Sequence, residues 1–326
     1  MDNVTDRTIG IGMLGYGFMG RAHSSTLRQV RHMTWPPPLI PELVSIAGRT
    51  EDAVTAAAEE FGFAEHVTDW RALVADARIG LFDNTGPNSV HVEPSIAAAE
   101  AGKHIVCEKP LGLTADDSYE AWQRVRAAGV KHMCAFNYRF VPAVRLAREL
   151  VAAGELGEIV HFRAAYLQDW LVDPSVANLW RLDKSVAGSG ALGDLGALGT
   201  IEASRSCPGR RNSLRFEING TGGSVAFNME RLNELEWSEG TGGFRMILVT
   251  DRDHPFMQNW WPPGHILGWE HTFVHELHHS LGAIRDDRDV APHGATFEDG
   301  LPRRGGVRRD RRSADGQGRV LVSYRD

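Results

Sequence analysis

The stretch Ile9-Gly10-Ile11-Gly12-Met13-Leu14-Gly15-Tyr16-Gly17-Phe18-Met19-Gly20-Arg21-Ala22-His23 constrains the fold more than any other part of the chain. A short apolar run enters a glycine-rich turn and leaves it directly as a helix-forming sequence. In the spacing G-x-G-x-x-G the first glycine permits a tight turn, the second lets main chain approach a pyrophosphate, and the third lets the helix lie close to the strand. The helix start then offers free N–H groups and a positive dipole end. Alternating strand and helix patterns follow, so the stretch predicts a dinucleotide cradle opening an α/β domain. Gly15, Gly17, Phe18, Met19 and Gly20 are its cofactor-binding candidates.

The chain has 326 residues, 42% hydrophobic and 24% charged, enough to bury a core and to divide into two domains. A net charge of −7 disfavours a nucleic-acid surface, although the C-terminal region is locally basic. Cys107, Cys134 and Cys207 share no metal-like spacing, which suits a reducing cytoplasm. No run approaches the roughly 18 apolar residues of a membrane span. These features predict a cytoplasmic protein acting on small molecules.

Leu43–Ala47 reads as the second strand, ending in Gly48-Arg49-Thr50. An acid there would hold the 2′-hydroxyl of NAD, whereas an arginine accommodates the 2′-phosphate of NADP. Arg49 and Thr50 therefore lean towards NADP, with NAD left open and an exposed, uninvolved Arg49 nearly as good a reading. Ile79–Asp83 is a buried strand before the turn Pro87-Asn88…His91. His104–Cys107 is another, with Glu108-Lys109-Pro110 at its carboxyl end, where ligands bind in an open α/β sheet.

Gly15/Gly17/Gly20, Pro87-Asn88…His91, Glu108-Lys109-Pro110 and Gly193-Asp194 together resemble the Gfo/Idh/MocA family of NAD(P)-dependent sugar and inositol dehydrogenases. Ala135-Phe136-Asn137-Tyr138-Arg139, Tyr166-Leu167-Gln168-Asp169-Trp170 and Trp180-Arg181 are most similar to its levoglucosan-dehydrogenase-like branch, which oxidises a ring hydroxyl to a ketone. The resemblance implies a Rossmann domain over residues 1–134. It also implies a substrate-binding and oligomerisation α/β domain with a large, mainly antiparallel sheet over 135–326, in a homodimer or homotetramer. It further implies Lys109 and Asp194 as catalytic residues, and Pro87, Asn88, His91 and Glu108 beside the cofactor. Asn137, Tyr138, Tyr166, Gln168, Trp180 and Arg181 would contact a sugar or cyclitol. A lysine whose charge is disfavoured by burial and by a cofactor can take a hydroxyl proton. Pro110 invites a cis bond after Lys109.

Two stretches depart from the family pattern. The family's general base, a histidine four residues after the Gly-Asp aspartate, would fall at position 198, which is Leu. Around it Gly-Ala-Leu-Gly occurs twice, at 190–193 and 196–199, and Thr200–Ser204 already resembles a later strand. A direct repeat flanking a missing block suggests a deletion, natural or from sequence assembly, with an authentic shortened loop as the other reading; a deletion leaves a truncated sheet and an impaired relative as the alternative function. Further on, Gly300-Leu301-Pro302-Arg303-Arg304-Gly305-Gly306-Val307-Arg308-Arg309-Asp310-Arg311-Arg312 stands where the family has an Ala-rich helix, as a compensated frameshift would leave it.

A rival of another class rests on His275-Glu276-Leu277-His278-His279, which matches H-E-x-x-H. In zinc hydrolases two histidines so spaced bind the metal, and Glu298 would offer a third ligand. The dehydrogenase reading predicts no metal here.

Overall fold

The computed structural model describes residues 7–33, 36–169, 200–240 and 242–301. These fall into two compact units, 7–136 with 276–301 and 137–169 with 200–275.

The first unit alternates strand and helix in the order β1 (Thr8–Leu14), α1 (Phe18–Met33), β2 (Ile40–Ala47), α2 (Glu51–Phe61), β3 (Glu65–Val67), α3 (Trp70–Ala75), β4 (Ile79–Asn84), α4 (Val92–Glu100), β5 (His104–Glu108), α5 (Ala115–Ala127) and β6 (His132–Ala135). All pairings are parallel and the strand order is β3-β2-β1-β4-β5-β6. Strands covered on both faces should be apolar throughout. Ile11, Met13, Ile46, Ala47, Leu81, Phe82 and Val106 are accordingly fully buried. Local signals set the helix ends: Thr114 and Asp117 form a reciprocal capping box on α5, and Gly62, at φ 77°, closes α2. The strand order reverses between β1 and β4, so a crevice opens beyond their carboxyl ends.

Residues 276–301 also belong to this unit. Cys134 N–H donates to the Ala295 carbonyl (2.8 Å) and Phe297 N–H to His132 Nδ1 (3.1 Å), while Ala295 and Phe297 join a core with Leu111 and Cys134.

The second unit contains α6 (Pro142–Ala152), β7 (Ile159–Leu167), β8 (Thr200–Ser204), β9 (Ser213–Gly220), β10 (Gly223–Asn228), β11 (Glu234–Glu239) and β12 (Arg245–Leu248). Its six-stranded sheet runs β12-β11-β10-β9-β7-β8, antiparallel except for the β7–β8 pair. Side chains along β10 alternate between buried and half-buried, as a strand with one packed face requires. Val225, Phe227, Leu235 and Trp237 pack with Val141, Ala143 and Ala147 around α6. Helix α7 (Glu270–Arg285) begins in this unit and continues, from Glu276, in the first. Among the described residues no helix is long and apolar enough to cross a membrane.

Candidate active site

The turn between β1 and α1 is built by two glycines that the protein itself requires and one that it does not. Gly15 lies at φ 103°, and a Cβ there would sit 2.8 Å from the main chain of Thr85 and Gly86. A Cβ on Gly20 would lie 2.4 Å from the Gly15 carbonyl oxygen, so Gly20 lets α1 close onto the turn. Gly17 is exposed, and a Cβ there would meet nothing within 4 Å. Thr85, just past β4, ties the turn down: its N–H donates to Leu14 O (2.8 Å), and its hydroxyl lies 3.0 Å from both Leu14 O and Gly15 O. Phe18 is 66% exposed at the helix start, Met19 is half-buried, and the first turn of α1 holds no acid to repel an anion. The open side at Gly17, over a helix N-terminus at the switch point, fits the diphosphate of a dinucleotide.

At the end of β2 the Tyr16 ring occupies the space that a side chain at Gly48 would take. Arg49 and Thr50 are both exposed, and the Thr50 hydroxyl does not cap α2.

The carboxyl ends of β4 and β5 carry the next group. Asn84 Nδ2 donates to Val90 O, His91 O and Ser95 Oγ (2.9, 3.2 and 3.1 Å), which fastens the turn holding exposed Pro87 and buried Asn88. The two nitrogens of buried His91 lie 2.7 Å from Pro110 O and 2.9 Å from Gly86 O, so this ring clamps one loop to the other. Burial pushes its pKa below the ordinary histidine value, against the opposing pull of those carbonyls. Glu108 is buried and accepts from the Lys109 N–H through Oε2 (3.1 Å). Burial disfavours its charge, yet His23 and Lys109 hold its carboxyl below the usual value. Lys109 is half-buried and its bond to Pro110 is cis.

In the second unit, four predicted residues lie in polar contacts. Tyr166 donates to Asn212 Oδ1 (2.9 Å), Gln168 Nε2 lies 3.3 Å from the Tyr166 hydroxyl, and Asn212 Nδ2 donates to the Tyr138 hydroxyl (3.1 Å). Asn137 Nδ2 donates to Thr272 Oγ1 (2.9 Å). Trp180, Arg181 and Asp194 lie outside the described residues.

Residues 9–136 match the Gfo/Idh/MocA oxidoreductase family, NAD-binding Rossmann fold, and residues 144–197 match the Gfo/Idh/MocA C-terminal domain. Levoglucosan dehydrogenase of Pseudarthrobacter phenanthrenivorans is 34% identical over 366 residues, covering 90% of this chain and 93% of the relative. The chain belongs to the Gfo/Idh/MocA family. Within that family the scyllo-inositol 2-dehydrogenase (NAD(+)) of Bacillus subtilis is 26% identical over 68% of this chain and 74% of its own. A solved levoglucosan dehydrogenase in complex with NADH and levoglucosan superposes with a TM-score of 0.86, at 36% identity, over 90% of this chain and 94% of that one. The 366-residue alignment exceeds the 326 residues available, so that relative has at least 40 positions without a counterpart here. The C-terminal family match stops at residue 197, inside the second Gly-Ala-Leu-Gly copy.

Family membership and local geometry overturn the zinc reading. Trp260 Nε1 donates to His275 Nε2 (2.6 Å), and His275 Nδ1 lies 2.9 Å from Phe140 O, so both nitrogens of the first would-be ligand are engaged. His279 Nε2 lies 2.7 Å from Val290 O, and Glu298 is exposed. The spacing belongs to a packed helix. Conversely, the sequence reading passed over Thr85, Asn84, Asn212 and the buried pair His23 and Asp83. Only the place of Asn84-Thr85 at a strand end could have drawn attention to them.

Proposed function

We propose that this family member transfers hydride between a secondary hydroxyl of a sugar or cyclitol and NAD(P), with the diphosphate on the amino end of α1. The observation that carries the reading is the glycine turn, closed by protein at Gly15 and Gly20 and open only at Gly17. When bound, the nicotinamide supplies or accepts the hydride. Gly15, Gly17, Phe18, Met19 and Gly20 hold the diphosphate, and Arg49 and Thr50 meet the adenosine ribose, with a lean to NADP. Pro87, Asn88, His91 and Glu108 shape the nicotinamide end. Lys109 meets the reacting hydroxyl and helps move its proton, and Asp194 is the second catalytic residue of the proposal. Asn137, Tyr138, Tyr166 and Gln168, with Trp180 and Arg181, contact the ring. Levoglucosan and inositol dehydrogenases among the relatives support this substrate class.

Leu198, where the resemblance expects the general base, lowers turnover in this chain relative to those enzymes. The test is nicotinamide absorbance across a panel of sugars and inositols, run beside a variant carrying the missing block. Rate appearing only in the restored variant supports the reading, whereas activity of the present chain equal to intact relatives overturns the impairment. Cys107, Cys134 and Cys207, none of them in a disulfide, support a cytoplasmic setting, and the second unit's sheet supports a homodimer or homotetramer, which light scattering measures.

A further inference from the structure

We propose that His23 is a positioning residue for Lys109, pinning the Glu108 side chain from the helix side so that Glu108 holds the Lys109 main chain in place. The inference rests on the reading that Lys109 meets the substrate. Gly20 brings α1 against the glycine turn, and His23, three residues on, faces the same way along the helix. Its ring is fully buried between the ends of two adjacent strands. Nδ1 lies 3.0 Å from both carboxylate oxygens of Asp83 on β4, and Nε2 lies 3.3 Å from Glu108 Oε1 on β5. The other oxygen of Glu108 accepts from the Lys109 N–H.

Both ring nitrogens face acceptors that carry no hydrogen when ionised, so each needs its own proton and the ring is an imidazolium. Burial opposes that charge, but Asp83 and Glu108 raise its pKa well above the ordinary histidine value. The other titratable groups around the cluster do not compete for the role. Burial pushes the Cys107 thiol up, keeping it protonated, and pushes His91 down, keeping it neutral. The buried set of one cation and two acids is costly unless every partner is in place. It fixes one oxygen of Glu108, and with it the direction in which the chain leaves β5 towards Lys109.

The chain has four lysines, Lys103, Lys109, Lys131 and Lys184, so lysine labelled with carbon-13 at Cε yields a readable NMR titration, with Lys109→Arg assigning its signal. The decisive variant pairs His23→Gln with Asp83→Asn, which removes one positive and one negative charge and leaves the local net charge unchanged. If His23 positions Lys109, the Lys109 midpoint moves by about half a pH unit or more from its value in the parent protein, while Lys103 and Lys131 stay put. An unchanged Lys109 titration in the folded double variant overturns the proposal. Nitrogen-15 histidine spectra at pH 8 must also show both His23 nitrogens protonated, and a neutral ring overturns it too. Adding NAD(P)+ to the unmodified chain tests the underlying reading separately: an unmoved Lys109 signal there refutes cofactor proximity, whatever the double variant does.

Discussion

Gly17 and Gly20 lie three residues apart, yet replacing each by alanine separates the protein's own packing from the demands of a ligand. A Cβ on Gly20 would lie 2.4 Å from a main-chain oxygen, where real contacts essentially never fall under 3.0 Å. The start of α1 must therefore retreat by at least 0.6 Å, because the Gly15 carbonyl cannot swing aside. Overpacking of this kind costs about 1–3 kcal/mol, offset in part by about 0.5–1 kcal/mol from alanine's helix preference. With roughly 2–4 °C lost per kcal/mol in a domain of this size, the net cost of up to about 2.5 kcal/mol should lower the melting temperature of Gly20→Ala by up to about 10 °C. Gly17→Ala meets no atom, so its stability should stay within about 0.5 kcal/mol of the parent. Its methyl group points into the open side and holds the diphosphate off the helix N–H groups. Loss of one hydrogen bond to a charged group costs about 1.5–3 kcal/mol, a weakening of roughly tenfold to a hundredfold. Thermal melting and NADH fluorescence titration read the two effects independently. A Gly17→Ala protein that melts and binds NADH like the parent would refute a diphosphate on this turn.

Lys109→Met should keep NADH affinity and lose turnover by about 100-fold or more in the block-restored chain, as removal of a proton-transfer group does; a retained rate in single-turnover assays would displace Lys109 from the chemistry. His275→Ala leaves the Trp260 N–H and the Phe140 carbonyl without their partner. It should cost about 1–3 kcal/mol in urea denaturation and leave the metal content, read by mass spectrometry, unchanged. His23, raised in the folded state, contributes stability that is complete below its unfolded value of about 6.5 and is lost as pH rises through the raised value. His91, lowered by burial, contributes in the opposite sense, with stability complete above about 6.5 and lost as pH falls through its depressed value. Urea midpoints measured from pH 5 to pH 9 check both slopes, and the alkaline loss should vanish in the His23→Gln, Asp83→Asn protein.

The nucleotide half was legible because its signals are local. Glycine spacing, the apolar runs of β4 and β5 and the Thr114 cap each act within a few residues, and the strand order follows once the elements alternate. Strand β3, over Glu65–Val67, is too short to show a period, whereas β11 carries a readable one, with Leu235 and Trp237 alternating with acids. The site was less readable for a different reason. His23 stands in the most informative stretch of the chain, but its partners lie 60 and 85 residues away, and only the fold brings them to its ring. Asn212 is likewise 46 residues from Tyr166 and 74 from Tyr138. The His275 to His279 pattern failed in the reverse direction: spacing shows which residues share a helix, not that a tryptophan and a carbonyl already occupy the ring.

The proposed absence of a block after Asp194 would bear unequally on cofactor binding and turnover. Gly15, Gly20, Thr85, Asn84, His91, Glu108 and Lys109 all lie within residues 9–136, the match to the family's NAD-binding fold, and the hydrogen bonds given above for Thr85, Asn84, His91 and Glu108 stay within that range. In the proposed reading the general base falls at position 198, so substrate turnover depends on that stretch. On that reading cofactor binding is expected to survive where turnover is lost, because the glycine turn and the ends of β4 and β5 lie wholly in the first unit.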